Sequence, residues 1–223
     1  MKRILLAVGI LGIGMALPAI ADIVIDRTTI SASASSEYDG TRTAAKLLDG
    51  YADKDYNHEW LSAFQSGTVP TAVSNQWARF DLGQVYTLSK MKIWNYNEWI
   101  ADPWQDWTTR GVKSAAIQKS DSLDGTYTTI SGITGWDGNG NLARSAYQDP
   151  YVDANVLVFP DGTQARYLRI FINSNWGDPE VQSPSDKAVG LVEVEFWQVP
   201  EPGVIGALLL GSFGLLQRLR RRA

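Results

Sequence analysis

Between Asn95 and Arg110 the chain gathers three indoles, Trp99, Trp104 and Trp107, beside Asn97, Glu98, Asp102, Gln105, Asp106 and Arg110. These are side-chain types suited to binding a sugar. A sugar presents C–H faces and hydroxyl edges. Indole answers the first with a broad apolar face and one N–H donor, while arginine or a side-chain amide fixes orientation through hydrogen bonds. Pro103 and the lack of any alternation put this stretch in a loop. A second stretch, 173–187, adds Asn175, Trp176, Asp178 and Glu180. The ligand contacts expected from the two loops are Asn97, Trp99, Trp104, Trp107, Arg110, Asn175 and Trp176. The same tryptophans also suit a local minicore, because loops this long either need anchoring or carry function.

Bond-breaking chemistry has less to draw on. The one histidine, His58, sits in a polar, acidic run with Asp53, Asp55, Asn57 and Glu59, and neither a Gly-x-Ser-x-Gly elbow nor a His-Glu-x-x-His pair occurs. Carboxylates are numerous enough for a two-carboxylate glycosidase, but one small domain leaves little room for a substrate cleft. The expectation is a binding module and not an enzyme. The alternatives are a structural or adhesive protein that binds another protein and, less favoured, a small glycoside-acting enzyme.

The elements that must hold these loops are strands. Trp77–Leu82, Arg166–Ile172 and Leu191–Trp197 alternate with period two. In the last of these, Val192, Val194 and Phe196 face one way and Glu193 and Glu195 the other. Met91–Trp94, Ala115–Lys119, Tyr127–Ile130 and Val156–Phe159 add shorter strands, and Asp49-Gly50, Asp124-Gly125, Asp137-Gly138, Asn139-Gly140 and Asp161-Gly162 punctuate them as turns. Only the stretch 43–48 has the look of a helical turn. Many short strands without helical periodicity predict an all-β fold, a single jelly-roll-like antiparallel β-sandwich. Trp60, Trp77 and Trp197 are expected to pack, since they lie on strands or at their edges. There is no cysteine, so this body must be held by its core alone.

The order of features resembles a discoidin domain, the coagulation factor V/VIII C-type module, whose bacterial relatives include galactose-binding carbohydrate modules. The residues that carry the resemblance are Ile30–Ser36, Ala45–Gly50, Trp60, Trp77–Gly83, Ile93–Glu98, Arg110–Lys113, Ser122–Gly125, Ala165–Ile170 and Leu191–Phe196. The resemblance implies a galactose-binding-like sandwich with its ligand loops at one end. It also implies a structural calcium ion beside the Asp49-Gly50 turn. The ligands carried over are the carbonyls of Lys46, Tyr51 and Val192 and the carboxylates of Asp49 and Glu193. The loop between Gly50 and Trp60 departs from the family pattern, with His58 where a threonine is usual. Without a metal, Asp49 would simply make its own turn and Glu193 would be a solvated strand residue.

Both chain ends look like addresses. Lys2 and Arg3, the apolar stretch 4–17 and Ala19-Ile20-Ala21 form a secretory signal peptide, expected to be cut after Ala21. At the other end, Val199, Pro200, Glu201 and Pro202 precede an uncharged apolar run, 203–216, and a cluster of Arg218, Arg220, Arg221 and Arg222. Prolines break the fold there, and the arginines belong on the cytoplasmic side of a membrane. This order resembles the PEP-CTERM sorting signal of Gram-negative bacteria, which implies processing by an exosortase-type enzyme and at least transient membrane insertion through an apolar helix. The expected organisation is signal peptide 1–21, β-sandwich 22–198 and sorting segment 199–223, with both end segments outside the fold. The net charge of −4 disfavours a nucleic-acid partner, which needs a basic face. An exported protein at the envelope, surface or matrix, binding a glycan or extracellular polysaccharide, is the result.

Overall fold

The structure, a computed structural model, describes residues 21–98, 106–146, 153–181 and 183–200. The proposed signal peptide up to Ile20, the tail from Glu201 onward, and both Trp99 and Trp104 lie outside the described residues. Asp22–Val199 forms one compact unit. Among the described residues no helix is long and apolar enough to cross a membrane.

The unit is an all-β antiparallel sandwich, as the alternation predicts. Its strands are β1 (Ile23–Val24), β2 (Ser31–Ala34), β3 (Trp60–Leu61), β4 (Trp77–Asn95), β5 (Val112–Ser120), β6 (Thr128–Thr129), β7 (Ala154–Val158), β8 (Gln164–Asn175) and β9 (Gly190–Gln198). The stretch expected to be a helical turn is a 3-10 turn, Ala44–Leu48.

One strand ties the layers together. The first part of β4 pairs with β2 and β8, and β8 continues to β5 and β6. After Leu88 the same strand pairs with β9 and β7, while β1 and β3 also pair with β9. Pairing with β8 shifts register between Asp81 and Tyr86. Gly83 lies in that irregularity with φ +85°, a conformation that glycine adopts without a Cβ penalty. The two strands expected at Trp77–Leu82 and Met91–Trp94 are therefore one, bent where it passes between sheets.

Period-two faces then meet in a single core. Ala78, Phe80, Leu82, Met91 and Ile93 from β4 pack against Leu168, Ile170 and Ile172 from β8 and Val194 and Phe196 from β9. The rings of Phe80 and Phe196 join the layers edge to face with centroids 5.0 Å apart. Trp60 is fully buried, in line with its packing role, whereas Trp77 and Trp197 keep partial exposure on outer faces. Glu193 does not behave as a solvated strand residue. It faces outward from β9 but is only 2 % exposed, because the Asp49-Gly50 turn folds over it and the Gly50 N–H donates to its Oε2 at 3.2 Å.

Candidate ligand-binding site

Strand β9 begins at one pole of the sandwich and ends at the other. At its first residue, Gly190, the Tyr96 ring comes so close to the backbone that a Cβ there would overlap it. Gly111 forms a parallel bridge to Gly190. The segment after β4, the turn Trp107–Arg110, the end of β8 and the start of β9 thus converge.

The chemistry at this pole centres on Glu98. Its carboxylate accepts from Arg42 Nη1 at 3.1 Å and Nη2 at 2.9 Å, and from Arg110 Nη1 at 3.0 Å. The Tyr96 hydroxyl donates a short hydrogen bond to it as well. The Glu98 side chain is 1 % exposed, so two guanidinium ions balance a charge that burial alone would make costly. Glu59 is fully buried beside them, with neither oxygen in a hydrogen bond of good geometry. Burial first, and then the Glu98 charge, push its carboxyl well above the ordinary value, against the pull of Arg42.

Aromatic rings surround this buried pair. Arg42 lies 5.4 Å from the Tyr38 ring and 5.1 Å from Tyr56, while Arg110 lies 3.8 Å from Trp107 and 5.7 Å from Phe64. Tyr38 and Phe64 meet edge to face at 5.3 Å. Tyr38, Tyr56 and Phe64 are exposed, at 44 %, 44 % and 48 %. The result is a rim of solvent-facing rings over guanidinium groups held in fixed directions, which offers apolar faces and donors together.

The expected ligand residues take different places. Asn97 and Arg110 are buried and Trp107 is half-buried, all three beside Glu98 or the Arg110 guanidinium. The Asp106 carboxylate holds their turn by accepting from the Thr108 N–H at 3.1 Å and its hydroxyl at 2.6 Å. Asn175 is fully buried: its amide donates to the Asp186 and Ala188 carbonyls at 2.5 and 3.0 Å and accepts from the Gly177 N–H at 3.1 Å. All of its polar atoms serve the loop. Trp176 is half-buried, its backbone N–H donating to the Gly111 carbonyl at 3.1 Å, with Lys113 Nζ 4.9 Å from its ring. The indole nitrogens of Trp107 and Trp176 are buried without an acceptor.

Sequence reasoning passed over Tyr38, Arg42, Tyr56 and Phe64. A usable signal existed: three tyrosines, Tyr38, Tyr51 and Tyr56, in one polar run that has no strand period.

The Asp49–Glu193 pocket is separate. Asp49 Oδ1 accepts from the Tyr51 N–H at 3.1 Å, the turn-making role expected without a metal. Yet Glu193 Oε1 is buried and has no hydrogen-bond donor. Burial, with the neighbouring Asp49 and Glu195 charges, raises the Glu193 carboxyl to about 8 despite the Gly50 N–H and Arg27. Burial raises Asp49 too. Among the described residues no three acidic or imidazole side chains converge as a metal cluster, so an ion here would depend on carbonyls as much as on carboxylates. An orphaned buried oxygen and an all-oxygen donor set fit a hard cation such as calcium.

Comparison with known proteins agrees with this architecture. The F5/8 type C domain matches residues 31–183. A family 32 carbohydrate-binding module (CBM) of Clostridium perfringens NanJ, in complex with galactose, superposes with a TM-score of 0.51 at 16 % identity, over 80 % of this chain and 100 % of that one. The CBM32-3 module from a family 31 glycoside hydrolase of the same organism gives 0.50 at 18 %, over 79 % and 95 %. Another C. perfringens CBM32, in complex with GalNAc-β-1,3-galactose, gives 0.50 at 15 %, over 78 % and 99 %. At such identities the likeness is one of fold. No curated protein matches the chain in sequence.

Proposed function

The chain belongs to the F5/8 type C domain family, and on that premise we propose that it is an exported, non-catalytic module that binds carbohydrate. The observation that carries this is the exposed rim of Tyr38, Tyr56 and Phe64 around Arg42 and Arg110, whose guanidinium groups are locked onto Glu98. Rings of this kind stack on sugar C–H faces, and pre-oriented donors pick out hydroxyls at low entropic cost. The fold relatives bound to galactose and to GalNAc-β-1,3-galactose make galactose-type sugars the first class to try. Of the three loop tryptophans, the described one, Trp107, is half-buried, packing beside Leu61, Tyr96 and Ala188 and under the Arg110 guanidinium, and so anchors the turn that presents Arg110. The two acids of this cluster suit a structural part: Glu98 is tied down by two arginines and Glu59 is fully buried beneath them, out of a substrate's reach.

Calcium belongs to this proposal as a structural ion held by the Lys46, Tyr51 and Val192 carbonyls and the Asp49 and Glu193 carboxylates. It would supply charge to a pocket whose acids otherwise resist ionisation, and order the polar loop that follows Gly50. Export through the N-terminal signal, and sorting by an exosortase-type enzyme through Val199, Pro200, Glu201 and Pro202, complete the proposal. Val199, the first residue of that stretch, donates its N–H to the Thr87 carbonyl at 2.9 Å.

A glycan array probed with the purified protein, with and without calcium, tests the carbohydrate proposal. Retention on galactose-type glycans supports it. Failure to bind any saccharide, together with capture of a protein partner that survives excess free sugar, would leave an adhesive protein instead.

A further inference from the structure

Arg27 has no part in the calcium proposal, yet it stands at that pocket. It opens the turn Arg27–Thr29 after β1, and its guanidinium lies across Gly50, where a Cβ would overlap Nη1. Nη1 is 3.6 Å from Glu193 Oε1 and Nη2 is 3.9 Å from Glu195 Oε1. On the other side of the pocket, Lys46 Nζ is 3.8 Å from Asp49 Oδ2. These distances allow ion pairing but exceed those of a hydrogen bond. Both carboxylates assigned to the metal therefore already face a tethered cation, and neither cation is bonded tightly. Glu193 Oε1, the buried oxygen without a donor, is the atom nearest Arg27.

We propose that Arg27 is the resident counter-cation of this pocket, competing with a divalent ion for Glu193 and leaving when the ion binds. The inference rests on the calcium proposal and adds to it a residue that sets affinity. A guanidinium near a buried carboxylate offsets part of the cost of burying that charge, so the fold tolerates loss of the metal. The same positive charge repels an incoming cation and must be moved aside. Arg27 can be moved aside because its side chain is 42 % exposed, and the incoming ion then takes over balancing the buried Glu193 charge. Glycine at position 50 is needed twice over, for its φ of +88° and for the seat it leaves to the guanidinium.

Calorimetric titration of calcium into the EDTA-treated full-length protein, unaltered and with Arg27→Gln, Arg27→Lys or Arg166→Gln, tests this. Arg166 pairs with Asp81 at 2.8 Å on the other sheet and controls for overall charge. Arg27→Gln is expected to bind calcium about fivefold more tightly or better. Its metal-free form should melt at a lower temperature, with added calcium closing the gap. Arg27→Lys should return toward the unaltered affinity. Uptake of calcium by Arg27→Gln alone would support competition in its strongest form. Equal or weaker binding by Arg27→Gln, or an equal gain in Arg166→Gln, overturns the competition and leaves the calcium site standing. No calcium uptake by any of the four proteins overturns both.

Discussion

Glu98 and Arg42 form a two-pronged ion pair across 56 residues of sequence, with Nη1 and Nη2 of the arginine at 3.1 and 2.9 Å from the two carboxylate oxygens. The pair joins the segment after β4 to the loop that carries Tyr38, so the aromatic rim keeps its shape only while this contact holds. Glu98→Gln removes the charge yet keeps the volume, leaving Arg42 and Arg110 largely buried without their counter-charge. We expect a loss of about 3 kcal/mol in urea unfolding, accompanied by weaker ligand binding. A change below about 0.5 kcal/mol would contradict the role given to Glu98.

Glu59 gives a pH signature. Its folded-state carboxyl is raised well above the ordinary value of 4.5, so the folded protein holds a proton that the unfolded chain releases. The stability contributed by neutral Glu59 is fully present below pH 4.5 and is lost as pH rises toward and through the raised value. Melting temperature should therefore decline as pH rises from about 4.5 to the raised value and level off beyond it. Glu59→Gln, which mimics the protonated form, should flatten the decline and melt higher than the unaltered protein at pH 8. A variant that keeps the full decline would show that another group is responsible.

Gly190 separates packing from ligand contact. A methyl group there meets the Tyr96 ring and the Trp60 carbonyl, whereas Gly138 has open space at the same position. Gly190→Ala should cost about 2 kcal/mol or more through overpacking, while Gly138→Ala stays within about 0.5 kcal/mol. Thermal melts of the two variants side by side distinguish these outcomes.

The strands were readable because apolar residues alternate where a sheet has one buried face; Val194 and Phe196 both point into the core, while the register shift at Asn95 brings Leu191 rather than Val192 into it. Alternation could not reveal that β4 is continuous, since the period breaks around Gly83, which acts as a bend within the strand. Nor could it show that Glu193 is buried, because the turn that covers it arrives from 143 residues away. At the ligand pole, the turn carrying Trp107 and Arg110 was recognisable from residue type. The rim was not. Tyr38, Tyr56 and Phe64 come from segments with no strand period, and only the tertiary fold brings them around Arg42 and Arg110. Asn175 shows the reverse difficulty: an amide suited to a sugar is committed to three backbone groups.

In the proposed function, the exposed rings of Tyr38, Tyr56 and Phe64 are the part of the site that meets the sugar. Isothermal titration of a galactose-terminated oligosaccharide into the protein and its Tyr38→Ala and Phe64→Ala variants examines them directly. Each variant should keep the melting temperature to within a few degrees and lose about tenfold or more in affinity, the equivalent of roughly 1.4 kcal/mol of stacking. Unchanged affinity in both variants, with binding intact in the parent, would place the sugar elsewhere and contradict the assignment of this rim as the recognition surface.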